Sequence, residues 1–593
     1  MALPARAWLF AVAFSSGIAA LAGVLAQRLA PPPIAAAALG TDDVFGEGLH
    51  ERELPSPLRW TTERAVFRFR DLPAGTAVVS VEVRDQRDWV AVVVGGKPFG
   101  TMAPGTTRGT HFAIVPDDGR LEVELLVRPF TAGDGRRLGA HIGRVSIDQL
   151  SPRQVRLRPL AVFVLPAAMV AAAVAFSGWG AVVAIVSSAA VTAAQCALLL
   201  PWGILWSGYS TRLAFLLAGG SVVCAVLARV AERTWPGAGR LAMVAGLGTM
   251  IVQGAAATWP AMIASDVAMN AHNLQKVAAG DWWLVSKTQH EPPFLFPYGP
   301  AFYAPLVSLA RAGGDPIGLV RVGAAIAGLL GSIGVFWLLA PRSPLAAALS
   351  VVMLQLLPGT FDRYSYGNLS NIFAQAMTVL FFAWWSRRGP GGPLLGGAFL
   401  LMAALGHFSS FLVLCVLLPA LLLVGRGWRE LPRATRLGVM AAAVLVLAYY
   451  ATFWPIIAQQ LPRLLEGAGT QAQVKSPWDV LRKQGWEIFW EWGLPAIAIA
   501  WAGRPRGRSG QDGDLLAFWV AGAALAVAAL ISPVEARYLY ALTLPLAVAA
   551  GQGVIELAKG PQATRWTLAA LVLAQLGLAL ANLRDDLYFH YRG

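Results

Sequence analysis

LAMVAGLGTMIVQGAAATWPAMI (Leu241–Ile263) leads, one alanine later, into SDVAMNAHNLQKVAAGDWW (Ser265–Trp283). The first stretch is apolar and reaches the roughly 20 residues that a helix needs to cross a bilayer. The second holds a carboxylate, Asp266, and a histidine, His272, just past the end of that helix. Ionisable groups at such a depth are costly and usually face a water-filled cavity or a reaction site. Which side of the membrane they face decides what chemistry they can reach.

Composition places the whole chain in the same medium. It has 593 residues, 56% of them hydrophobic and only 13% charged, with a mean hydropathy of +0.57. An ordinary soluble domain carries about 25% charged residues, so this is a polytopic membrane protein. The net charge of +14 follows from basic residues retained on the cytoplasmic side, and nucleic acid is not expected as a partner. Cys196, Cys224 and Cys415 all lie in apolar spans, without a disulfide framework or metal-ligand spacing.

Membrane-length apolar stretches recur. The first, Trp8–Leu25, reads as an uncleaved anchor rather than a signal peptide. Others centre near residues 168, 190, 221, 252, 328, 351, 377, 400, 417, 446, 496, 523, 547 and 574, which predicts about 15 crossings. Arg6, Arg229/Arg233/Arg240, Arg342, Arg387/Arg388, Arg426–Arg436, Arg504–Arg508 and Lys559/Arg565 then fall on one side. That side is assigned to the cytoplasm. The opposite side carries Asp266, Asp281, Glu291, Asp362, Glu466, Asp479, Glu535 and all seven histidines. The expected setting is a bacterial plasma membrane, with the N-terminus cytoplasmic and the active surface outside. ATP and nucleotide sugars are absent there, so a transfer would need a donor already flipped across the membrane.

Residues 41–151 have another character. AVFRFRDL, TAVVSVEVR, WVAVVVGG, THFAIVP and GRLEVELLVR alternate apolar and polar residues, with turns such as LPAG and PDDGR between them. Short strands at this spacing predict an antiparallel sandwich or jelly roll, tethered by the Pro/Ala linker APPPIAAAALG and lying outside. Trp60 and Trp89 are candidates for stacking on a sugar or for ordinary core and interface aromatics. The expected order is an anchor at 1–30, the β domain at 41–151, accessory helices at 157–240 and a catalytic membrane domain at 241–593.

Five constellations hold polar chemistry. The segment after Asp266 reads as an amphipathic interfacial helix with Trp282 and Trp283 as anchors, followed by the Pro- and aromatic-rich HEPPFLFPYGPAFYAPL (His290–Leu306), expected to cover a cavity. Asp266 has two open roles, general base or helix cap. FDRYSYGNLSN (Phe361–Asn371) supplies Asp362, Arg363, Tyr364 and Asn368, for an acceptor, a metal or a plain ion pair. His407, in GHFSS, is a site residue or the polar turn of a helical hairpin. PVEARYLY (Pro533–Tyr540) brings Glu535, Arg537 and Tyr538 to the membrane boundary, where a guanidinium suits a phosphate. In WDVLRKQGWEIFWEWG, Arg482 and Lys483 are further lipid-phosphate candidates. The chain contains no P-loop, HExxH or GxSxG, and no GxGxxG opening a helix after a strand.

These residues resemble the class C (GT-C) glycosyltransferases, membrane enzymes that take sugar from a polyprenyl-phosphate or pyrophosphate carrier. The likeness lies in Asp266 after a module-opening helix, SDVAMNAHNLQKVAAGDWW with YGPAFYAPL as a first outer loop, FDRYSYGNLSN as a second, and EARYL as the late arginine segment. It covers roughly Leu241 to the C-terminus. The outer β domain is reminiscent of arabinosyltransferase-like enzymes, although there the acidic loop comes earlier. The paired DD or DE of some members is absent, so the sequence requires no divalent cation and leaves the cofactor open. The resemblance implies a polyprenyl-phosphate-linked sugar as donor, a glycan or lipid as acceptor, Asp266 as general base and Arg537 on the leaving phosphate. His272, Asp362, Arg363, Tyr364, Asn368, His407, Glu535, Arg537 and Tyr538 would bind substrate. The alternatives are a lipid-linked oligosaccharide flippase, which would place ionisable groups near the midplane, and an O-antigen ligase or polymerase.

Overall fold

A computed structural model describes residues 5–39, 41–50, 58–84, 87–132, 136–150, 154–201, 203–259, 266–287, 295–365, 368–424, 427–456, 458–459, 478, 482, 485–486, 490, 492–505, 510–531 and 543–588. The chain divides into two units, one built on Met1–Val230 and the other on Ala231–Thr258 with Ile263–Leu583.

The first unit joins the β domain to a group of apolar helices. One sheet face runs Lys97–Met102, Val90–Val94, Leu121–Val127, Arg59–Phe69 and Gly46–Leu49. The other runs Arg108–Val115, Gly75–Arg84, His141–Gln149 and Ile34–Ala36. The faces meet where Trp60 and Arg59 pair with His141 and Ile142. Every pairing is antiparallel, and the period-two pattern buries Val79, Val81, Val83, Val90, Val92 and Val123 completely. The Pro/Ala stretch does more than link. Ile34–Ala36 keep their amide donors after three prolines and pair along Arg144–Ser146.

The β domain is bolted to its helices. Gln27, in the helix Ala5–Leu29, exchanges two hydrogen bonds with the Arg156 backbone, at 2.6 and 3.2 Å. The Arg156 guanidinium donates to the carbonyls of Leu72 and Asp117. Arg158, in the helix Leu157–Phe176, stands 3.6 Å from the buried Asp71 carboxylate and donates to Thr211. Burial pushes the Asp71 carboxyl up, against the pull of Arg158, Arg156, Arg70 and Arg120. Asp71 also has φ of 63°, a conformation that Asn and Asp tolerate better than other non-glycine residues.

Each of the fifteen sequence-derived span positions falls within a helix. Among the described residues, eight helices are long and apolar enough to cross a membrane: Arg6–Leu29, Leu157–Phe176, Ala181–Leu199, Gly208–Thr234, Gly239–Thr258, Pro316–Leu339, Arg433–Ala451 and Gln562–Arg584. Pro344–Leu356, Pro393–Gly406, Phe408–Leu423 and Thr543–Ala558 are shorter apolar helices.

In the second unit the helix ends sort into two rims. At one, Arg388 pairs with Glu430 and with the buried Asp514, Arg342 pairs with Asp512, and Arg387 lies against Trp235 and Trp337. At the other, Trp283 donates to Thr452 and Tyr449 donates to the carbonyls of Trp282 and Tyr298. The helix Arg433–Ala451 starts three residues past Glu430 and ends beside Thr452. Its 19 residues span about 28 Å, close to the thickness of a hydrocarbon core.

Asp71 gives the first unit a pH signature. Its folded pKa is raised, so its contribution to stability is full below the unfolded value of about 3.9 and is lost as pH rises through the folded value. Asp71→Asn removes that loss and keeps a side chain tolerant of positive φ. The melting temperature of the variant minus that of the parent should increase between pH 4 and pH 7. A difference that stays constant with pH would show that Asp71 does not titrate in this way.

Candidate functional site

Asp266 is half-buried at the N-terminus of the helix Val267–Ala279. It occupies the capping position, yet its carboxylate makes no capping hydrogen bond. Its backbone carbonyl accepts the amide of Asn270 at 2.9 Å and the Asn270 side chain at 2.8 Å. The cap role open in the sequence is therefore not the one its carboxylate performs.

The helix presents two faces. Val267, Asn270, Ala271, Asn273, Leu274 and Val277 are buried, while His272 is exposed. The Tyr303 hydroxyl donates to Asn270 Oδ1 at 2.8 Å, and Asn273 Nδ2 approaches the same hydroxyl at 3.4 Å. Burial pushes the Tyr303 phenol well above its usual range, and the charges of Tyr298 and Asp266 add to that push. Hydrogen bonds from Asn273 and Ser370 act against it.

Tyr303 is delivered by a segment whose entrance differs from the expected loop. Leu284–Lys287 and Leu295–Tyr298 form an antiparallel hairpin, with Leu284 opposite Tyr298 and Pro297 opposite Val285. A proline fits a short two-stranded ribbon because it has a free edge. The chain then docks on the end of the helix Pro393–Gly406, where Ala301 donates to the Leu405 carbonyl. A Cβ at Gly299 would collide with that carbonyl, so glycine is required for the approach. This docking sets Tyr298 edge-on to His407 at 5.2 Å and within 3.0 Å of Ser370 Oγ.

His407 is a single extended residue between two helices, Pro393–Gly406 and Phe408–Leu423. Its Nδ1 accepts the Ser409 amide at 3.2 Å and lies 2.7 Å from Ser409 Oγ. In a neutral ring the proton is then on Nε2. From Ser409 the contacts continue to Asn371 Oδ1, to Gln375 and to the buried Arg363, whose Nε also donates to the Gly359 carbonyl. A cavity of about 10 Å³ adjoins this run, lined in part by Asn371, Gln375, Ser409 and Ser410. It has room for about one water.

His407 and Arg363 thus share one run of hydrogen bonds through Ser409, Asn371 and Gln375, while Asn270 joins the Asp266 backbone to the Tyr303 hydroxyl. Asn368 is buried at the start of the helix Leu369–Ser386, and its amide donates to the Arg363 carbonyl. Tyr364 turns elsewhere, its hydroxyl donating to the Ala324 carbonyl at 3.2 Å and approaching Gln253 Oε1 at 3.4 Å. Arg482 is exposed. The side chain of Asp362, and Lys483, Glu535, Arg537 and Tyr538 altogether, lie outside the described residues. Among the described residues no group of three His, Cys, Asp or Glu side chains is placed to hold a metal ion. Sequence reasoning missed Asn270, Asn273, Tyr298, Tyr303, Ser370 and Ser409. The two asparagines were findable, four and seven residues from Asp266 and so on its helix face, whereas the tyrosines carried no comparable signal.

The fold defines the class: a multi-pass helical membrane protein carrying a β domain. No protein-family model matches the chain, and no curated protein matches it. Among solved structures it is similar to ArnT from Cupriavidus metallidurans bound to undecaprenyl phosphate, over 56% of this chain and 72% of that one. The identity is 17% and the TM-score 0.36, below the level that establishes a shared fold.

The buried polar cluster should matter to stability in a way the exposed histidine does not. Tyr303→Phe removes the hydroxyl that donates to Asn270 and should cost about 1–3 kcal/mol. His272→Ala should stay within about 0.5 kcal/mol of the parent. Denaturant unfolding in a mild detergent compares them. Equal effects would remove the cluster from the structural role given to it here.

Proposed function

We propose that the chain is a membrane glycosyltransferase of the GT-C kind. It takes a sugar from a polyprenyl-phosphate donor and passes it to a cell-envelope glycan or lipid acceptor on the exocytoplasmic side of a bacterial plasma membrane. The observation that carries this reading is Asp266, a half-buried carboxylate that opens the helix Val267–Ala279 without capping it and is joined through Asn270 to the buried polar cluster at Tyr303. An acidic group so placed is suited to proton transfer rather than to holding a helix end.

In the proposed reaction the Asp266 carboxylate accepts the proton of an acceptor hydroxyl. That oxygen attacks the anomeric carbon, and the bond from this carbon to the phosphate oxygen breaks. Polyprenyl phosphate leaves with the electron pair. A phosphate is a good leaving group, so cationic side chains can carry the developing charge without a strong acid. Arg537 is assigned that role, with Arg482 and Lys483 as further phosphate ligands. Arg363, His407 and Asn368 belong to the substrate-binding set, together with His272, Asp362, Glu535 and Tyr538, whereas Tyr364, expected there from the sequence, donates its hydroxyl to the Ala324 carbonyl. Residues 241–593 form the catalytic domain in this reading, with 157–240 accessory and 41–151 an outer β domain. A flippase would place ionisable groups near mid-membrane. The polar groups linked deep between the helices here, Thr249, Gln253, Ser332 and Gln355, are all neutral, which favours the enzyme.

Two experiments test the proposal. Asp266→Asn should lower transfer from polyprenyl-phosphate sugar by about 10²–10⁴-fold, with the melting temperature unchanged. Near-parental turnover would remove Asp266 from the chemistry. For sidedness, Cys196, Cys224 and Cys415 are replaced by Ala, and single cysteines are introduced as His272→Cys and Arg433→Cys. An impermeant maleimide should label position 272 in intact cells and position 433 only after permeabilisation. The reverse pattern would invert the topology and end the exocytoplasmic reading.

A further inference from the structure

The β domain contains a recess of about 190 Å³, lined by Arg87, Asp88, Val127, Arg128, Pro129, Phe130 and Gly139. Six arginines of this domain, Arg59, Arg64, Arg68, Arg84, Arg120 and Arg137, pair with carboxylates. Arg87 and Arg128 have no carboxylate partner among the described residues. Arg87 is instead held over the Phe130 ring, 4.4 Å from its centre. Phe130 is braced edge-on by Trp60 at 5.5 Å, and Trp60 is stacked on His141 at 4.2 Å. The contact favours this orientation of the guanidinium before any ligand arrives, which reduces the ordering cost of binding. Trp60 has a bracing role here, with its face already covered by His141.

We propose that this recess binds a single anionic sugar unit, a carboxylated or phosphorylated monosaccharide residue of a glycan. Arginine presents a planar fork that matches carboxylate and phosphate oxygens, and two arginines line the recess. Asp88 sets the second requirement. Its Oδ1 accepts the Trp89 amide at 2.8 Å, and its remaining acceptor capacity suits a hydroxyl. The same carboxylate repels a bare anion, so the ligand must bring hydroxyl donors beside its charge. The volume lies below the roughly 300–1,000 Å³ of sites for drug-sized ligands, which fits one ring rather than an oligosaccharide. The inference does not depend on the transferase reading.

The test uses the full chain in detergent and saturation-transfer NMR with D-glucuronate, glucose 6-phosphate, glucose and acetate as probes. Glucuronate, glucose 6-phosphate or both should bind saturably, and the arm that binds identifies the anion. Glucose and acetate should bind at least about tenfold more weakly. Arg87→Ala and Arg128→Ala should each weaken the binding by about tenfold or more, the worth of a charge-assisted hydrogen bond. Asp266→Asn should leave it unchanged, which separates this site from the transferase proposal. Three results would overturn the inference: no saturable binding of either anionic sugar, equal binding of acetate, or full affinity in the Arg87→Ala/Arg128→Ala protein.

Discussion

Inside a hydrocarbon slab no water is available to satisfy a stray polar group, so each one must find a partner within the protein or be lost from the sequence. The helices of the second unit are registered by that demand. Thr249 donates to Ser332, Gln355 to Ser332 and Gln253 to Gln355, while Tyr364 reaches toward Gln253 from a fourth element. The π-turn Met250–Gly254 lies within this ladder and carries Gln253, a placement typical of functional helices. Gly328 leaves room opposite it, since a Cβ there would overlap the Gln253 amide where it now lies. The helix that leads toward Asp266 is therefore held in rotation and depth by neutral hydrogen bonds.

The same rule separates the two rims. Charged pairs such as Arg388 with Glu430 and Asp514 gather at one end of the Arg433–Ala451 helix. Tryptophan, tyrosine and threonine contacts gather at the other. Asp266, Tyr303 and His407 adjoin the elements at the second end, since Tyr298 links His407 to Tyr449.

The β domain obeys a different balance. It folds by burying alternate valines in water, and it is then fixed to its helices by a few polar contacts around Gln27, Arg156 and Asp71. Those contacts make it a fixed part of its unit rather than a swinging appendage. Any ligand held in its recess would be presented at a defined position relative to the helices it stands on.

Much of this was legible from residues alone. Apolar runs located the helices and alternation located the strands, because burial of apolar surface imposes periods of 3.6 and 2 on any sequence. The helix face bearing Asn270 and Asn273 was legible in the same way. The pairing of Tyr303 with Asn270, of Tyr298 with His407, and the run from Ser409 to Arg363 were not. They join segments 30 or more residues apart, and which distant loop docks on which helix end depends on close approaches such as Gly299 on Leu405. The sequence by itself determined the solvent of each segment and hence its secondary structure. Only the tertiary structure decided which polar groups meet, because hydrogen bonds and steric contact act over a few ångströms of space and leave no period along the chain.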